Sequence, residues 1–93
     1  MNKQEAAELV EAELRTFRSQ PYDELLRLRT EIMTYTVSGP SGTAYGVEVQ
    51  AFWDSGRPGN LRVTAAIDDG GISAFRPLCR DFVVAPDGRF IGE

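Results

Sequence analysis

Apolar residues recur at Ala6, Val10, Leu14 and Phe17, with Leu9 widening the stripe, while Glu5, Glu8, Glu11 and Glu13 fall mostly outside it. Such spacing marks one face of an α-helix and predicts an amphipathic helix from about Asn2 to Arg18. Glu5 and Glu8 lie near its positive end, Arg15 and Arg18 near its negative end, and Glu11 precedes Arg15 in the favourable i,i+4 order. Ser19 then reads as an N-cap, with Pro21 in the first turn of a shorter helix running to about Leu28 and Tyr22, Leu25 and Leu26 on its apolar side.

Beyond Leu28 the period changes from helical to alternating. Met33, Tyr35 and Val37 share one face of a strand over 31–37, and GPSG at 39–42 turns the chain. A second strand, 43–53, sets Tyr45, Val47, Val49, Ala51 and Trp53 against Ala44, Gly46, Glu48, Gln50 and Phe52. DSGRPGN is a loop, and Leu61, Val63, Ala65 and Ile67 alternate with polar or small residues in a third strand that ends at DDGG. The fourth strand, about 78–85, turns a charge inward in either register, Arg80 in one and Asp81 in the other. A β-bulge near Cys79–Asp81, or an edge position after Pro77, would relieve this. APDG signals a further turn, and RFIGE leaves room only for a short terminal strand.

The chain therefore reads as a single α+β domain over 1–93: an N-terminal helix or helix pair packed on a four-stranded antiparallel meander. That order of elements resembles the cystatin-like folds and, more loosely, a truncated NTF2-like cone. The resemblance stops short of the inhibitory Q-x-V-x-G segment of cystatins. Gln50-Ala51-Phe52-Trp53-Asp54 lacks its valine and glycine, so protease inhibition does not carry over.

Composition narrows the function. The chain has 93 residues and a net charge of -4, and its nine arginines are scattered at 15, 18, 27, 29, 57, 62, 76, 80 and 89 without forming a run. A nucleic-acid binder needs a concentrated basic face, which argues against that partner. The acidic start MNKQEAAELVEAEL is unlike a signal peptide, and the longest apolar run is FVVA, so neither export nor a membrane partner is expected. One cysteine forms no internal disulfide, which fits a cytoplasmic location.

The same inventory limits chemistry. Cys79 sits between Arg76, Arg80 and Asp81, but the chain has no histidine to activate a thiol, and the expectation is a buried or half-buried structural residue. Zinc sites lack ligands, and Asp68-Asp69 before Gly70 and Gly71 reads as a solvated turn, so no metal or cofactor is expected. SGPSGTAYG has no GK[ST] and no following helix, which leaves it a hairpin loop, with Gly46 marking a bulge or a close helix approach. No spacing pairs Glu48, Asp68 and Asp81 for hydrolysis, and no catalytic residue is assigned.

Binding remains. The sheet face away from the helix should carry Thr34, Thr36, Glu48, Gln50, Phe52, Arg62 and Thr64, a polar surface holding one aromatic ring. The expected role is a small non-catalytic domain with a protein partner, including a homodimer through this face or an edge strand. The alternative is a small-ligand pocket or minor enzyme where the helix curls over a bent sheet, lined by Tyr22, Tyr35, Tyr45 and Trp53.

Overall fold

Asn2 opens the first helix: its side-chain oxygen accepts the backbone N–H of Glu5 at 3.0 Å, satisfying a donor that helix starts leave orphaned. In the computed structural model α1 runs Lys3–Arg18 and buries Ala6, Val10, Leu14 and Phe17, the stripe its periodicity predicts. The structure describes residues 1–93, apart from the side chains of Ser73 and Phe75.

Ser19 closes α1 and does not open the next helix. Its backbone N–H and its hydroxyl both return to the Thr16 carbonyl, at 3.3 and 2.6 Å. With that hydroxyl occupied, and Gln20 held out of helical geometry by the following proline, α2 begins only at Tyr22. It spans Tyr22–Leu26, continues as a 3-10 turn over Arg27–Arg29, and buries Leu25 and Leu28.

The sheet is antiparallel and five-stranded, with β1 (Met33–Ser38), β2 (Ala44–Trp53), β3 (Leu61–Asp68), β4 (Leu78–Val84) and β5 (Phe90–Ile91) neighbouring in chain order. The four-stranded expectation is thus corrected by one short strand. Ala85 N–H bonds the Arg89 carbonyl and Gly88 N–H the Ala85 carbonyl, each at 2.8 Å. Gly88 takes φ +90°, which favours glycine, and this turn lays Phe90 and Ile91 against Val84 and Val83.

No bulge interrupts β4, whose residues from Leu78 to Val84 each have their own partner on β3. Phe82 and Val84 face α1, and Arg80 shares their side. Its guanidinium stays at the surface, 3.5 Å from Glu11, because β5 reaches only Val83 and Val84 and leaves this part of β4 at the rim. Asp81 takes the opposite face. Gly46 likewise marks neither a bulge nor a helix approach: it lies in register between Thr36 and Asp68, and a Cβ there would meet nothing within 4 Å.

Between α1 and the sheet lies one continuous apolar layer, in which Val10 and Leu14 meet Tyr45, Val49, Leu61, Val63 and Ile67. Two polar ties close its ends. At one, the Glu5 carboxylate accepts the Ser41 hydroxyl at 2.7 Å, the Ser41 N–H at 2.9 Å and the Tyr45 hydroxyl at 2.8 Å. At the other, the Arg18 guanidinium lies 5.0 Å from the rings of both Phe82 and Phe90 and 2.7 Å from Glu93. The two rings meet edge to face at 5.7 Å.

Hydrogen bonds from Ser41 and then Tyr45 hold the Glu5 carboxyl below the ordinary glutamate range, and that same bond, with burial, pushes Tyr45 up to about 12. A carboxyl lowered by folding stabilises the folded state above its unfolded value and loses that contribution as pH falls through its folded value. Between about pH 5 and pH 3 the wild-type melting temperature should therefore fall more steeply than that of Glu5→Gln, as read by circular dichroism. In the core, Leu14→Ala removes a side chain 2% exposed. It should cost about 2–5 kcal/mol, lowering the urea midpoint with the slope unchanged.

Candidate functional site

Because opposite residues in antiparallel strands share a face, the register sorts the side chains turned away from α1 into rows. Thr36, Gly46 and Asp68 form one row; Thr34, Glu48, Ala66 and Cys79 the next; then Gln50, Thr64 and Asp81; then Phe52, Arg62, Val83 and Ile91. All seven residues assigned to this face from the alternation, Thr34, Thr36, Glu48, Gln50, Phe52, Arg62 and Thr64, lie on it together.

Arg62 organises one end. Its Nε and Nη2 reach Asp54 Oδ1 at 3.1 and 2.7 Å, and its Nη1 reaches Asp81 Oδ2 at 3.0 Å, so two carboxylates already occupy the guanidinium. Those bonds, to Asp54 first and Asp81 second, hold it charged. Phe52, 50% exposed, stands beside it. At the other end a groove of about 490 Å³ is lined by Thr34, Thr36, Glu48 and Asp68, with Ala74 and Pro77 along its side. Among the described residues, hydroxyls and carboxylates line it without an opposing base or cation, and no group of three or more side chains is suited to a metal ion.

Cys79 overturns its expected burial. The unbroken β3–β4 register pairs it with Ala66 on the open face, and it is exposed. Its Sγ lies 3.7 Å from the Pro77 carbonyl.

The four aromatic residues read as a pocket lining are placed apart. The Tyr22 hydroxyl donates to the Gly59 carbonyl at 2.6 Å, tying α2 to the β2–β3 loop. The Tyr35 hydroxyl donates to Glu13 at 2.8 Å, and burial followed by that bond raises its pKa. Tyr45 is fully buried against Glu5, and Trp53, at the far end of β2, lies under the Arg29 guanidinium at 4.2 Å. Each has a structural partner, and the space between α1 and the sheet is taken by the core.

The backbone of β1 supplies what side-chain reading misses. Gly39 N–H bonds the Thr43 carbonyl at 2.9 Å, at the end of the β1–β2 ladder. Carrying the alternation of an antiparallel pair back along β1 points the N–H and C=O groups of Val37, Tyr35 and Met33 at β2. Those of Ser38, Thr36, Thr34 and Ile32 then point outward, where β1 has no neighbouring strand. Next to this edge Ile32 and Met33 are 55% and 46% exposed. They border a second groove, of about 590 Å³, with Phe17, Leu28, Glu24 and Glu31.

No family model matches the chain, and neither a curated protein nor a solved structure does. No described helix is long and apolar enough to cross a membrane.

The exposure of Cys79 has a direct check. Ellman's reagent should modify it in the folded protein at a rate within roughly tenfold of that in urea; a native rate slower by orders of magnitude would return the thiol to the interior.

Proposed function

We propose that this is a non-catalytic protein-interaction domain that takes an extended segment onto the free edge of β1. The observation that carries the reading is an edge with outward amides and carbonyls at 32, 34, 36 and 38 and no charged residue anywhere from Met33 to Ser38. Folded proteins usually blunt such an edge with charge, proline or cover, and an uncovered one is a template for strand addition. Here the guards, Glu31 and Pro40, stand outside the strand at its two ends. The opposite edge is guarded, since β5 covers Val83 and Val84 and the uncovered part of β4 carries Arg80 and Asp81 after Pro77.

The open face contributes the flank of the surface. Thr34 and Thr36 belong to both face and edge, with Glu48 and Gln50 behind them. The order of a helix followed by a meander supports the cystatin-like reading of the fold. An exposed thiol at Cys79 fits a reducing, cytoplasmic setting.

Thr36→Pro tests the reading, because it deletes an outward N–H and leaves the β1–β2 bonds in place, a change edge strands accept. Peptides selected on the wild-type protein from a displayed library of random extended sequences should bind Thr36→Pro at least about tenfold more weakly, a loss of roughly 1.4 kcal/mol. Equal binding to both proteins, or no selected binder at concentrations where the protein is monomeric, would overturn the proposal.

A further inference from the structure

The segment that best fits the β1 edge is β1 itself. Building on strand addition as the mode of binding, we infer that the occupant is a second copy of this chain, paired antiparallel about a two-fold axis at Tyr35. The two sheets then join into one, with both α1 helices on the same side.

The geometry leaves few registers. Opposite residues in an antiparallel pair lie on the same face, and the outward backbone groups must meet each other. Even-numbered residues must therefore oppose even-numbered ones, and the two numbers must sum to an even value. A sum of 70 places Thr34 opposite the partner's Thr36 and Ile32 opposite the partner's Ser38, so every outward N–H from 32 to 38 finds a carbonyl. A sum of 72 sets Ile32 against the partner's Pro40, which has no N–H to give. A sum of 68 carries Ser38 past the strand to Thr30 of the partner subunit, which the 3-10 turn already holds through its N–H to Arg27.

The side chains agree with the backbone. Met33, Thr34, Tyr35, Thr36 and Val37 read apolar, hydroxyl, apolar, hydroxyl, apolar in both directions. At a sum of 70 threonine meets threonine on the open face, and Met33 meets the partner's Val37 on the helix side, both favourable cross-strand pairs. Met33, now 46% exposed, and Ile32, 55% exposed, gain cover. Tyr35 sits on the axis with its hydroxyl drawn back to Glu13 of its own α1. That helix packs mainly on β3 and β4, so it leaves the edge clear.

Charge permits the pairing although each copy carries a net charge of -4. Glu13 is held back on α1 by the Tyr35 hydroxyl, Glu48 stands one strand behind the edge, and the carboxylate nearest in sequence, Glu31, falls opposite the partner's Gly39. The two Glu31 residues are then eight positions apart along the ladder, roughly 26 Å at the rise of a strand and well beyond the screening length at physiological salt. A parallel pairing would instead bring the Glu31 ends together.

Sedimentation equilibrium of the full chain over about 1 μM to 1 mM should show the mass rise from 10.3 kDa to twice that value, while Thr36→Pro stays at 10.3 kDa. Register is read by disulfide trapping in a Cys79→Ser background. Tyr35→Cys brings two thiols together across the axis at a Cα separation of about 4.5 Å, whereas Thr36→Cys leaves its copies diagonal at roughly 7–8 Å. Tyr35→Cys should therefore link at least about tenfold faster than Thr36→Cys. Should the loss of the Tyr35 hydroxyl impair folding, an equimolar mixture of Thr34→Cys and Thr36→Cys, both on exposed positions, should link to each other and not to themselves. A monomer at every concentration, a doubled mass that Thr36→Pro leaves intact, or faster linking by Thr36→Cys would overturn the inference. A monomer that still takes library peptides at β1 loses self-pairing alone; one that takes none loses strand addition as well.

Discussion

Once Gly39 closes the β1–β2 hairpin onto Thr43, every residue of the sheet is committed to a face and every backbone group of β1 to a side. A slip of one residue would exchange the two faces, sending Tyr45 and Val49 into water and Glu48 into the core. The cost of burying that carboxylate exceeds any gain from the alternative pairing, so the apolar layer and the hairpin enforce the same register. The core, the rows on the open face and the parity of the free edge follow from this one commitment. Because no bulge breaks it, the open face is ordered without any contact to α1.

Much of this was legible in the alternation. Strands β1 to β3 are long, their apolar positions strictly alternate, and their boundaries are marked by glycine and proline, so local chemistry and tertiary packing ask for the same structure. The seven residues of the open face follow from parity alone. β4 was not legible in the same way, because both of its parities carry a charge. One long side chain and the parity settle the matter: Arg80 spans the rim to reach Glu11, and Asp81 lies on the open face, where Arg62 meets it, so neither charge enters the core. Cys79 lost its expected burial as a consequence, since with Phe82 and Val84 inward its parity must face out.

The remaining misreadings share a cause, which is that a residue's type does not say which neighbour claims it. Ser19 has the hydroxyl of an N-cap, yet the carbonyl one turn behind takes it. The aromatic residues read as one pocket were each claimed by a different partner, Gly59, Glu13, Glu5 and Arg29. The free edge was harder still to see, because it consists of main-chain atoms. Only the order of strands and the absence of charge between Met33 and Ser38 announce it.

The grip of Glu5 on the hairpin reaches further than its hydrogen bonds. A Cβ placed on Gly39 would stand 2.6 Å from the Glu5 Cδ, and that carboxylate is the one that holds Ser41 and Tyr45. Positions 5, 39, 41 and 45 therefore cannot drift one at a time. A bulkier turn evicts the carboxylate, a shorter acid fails to reach the loop, and a phenylalanine at 45 leaves the acid short of a donor. Residues scattered over the first half of the chain form a single unit of sequence change, and substitutions among them should appear together or not at all.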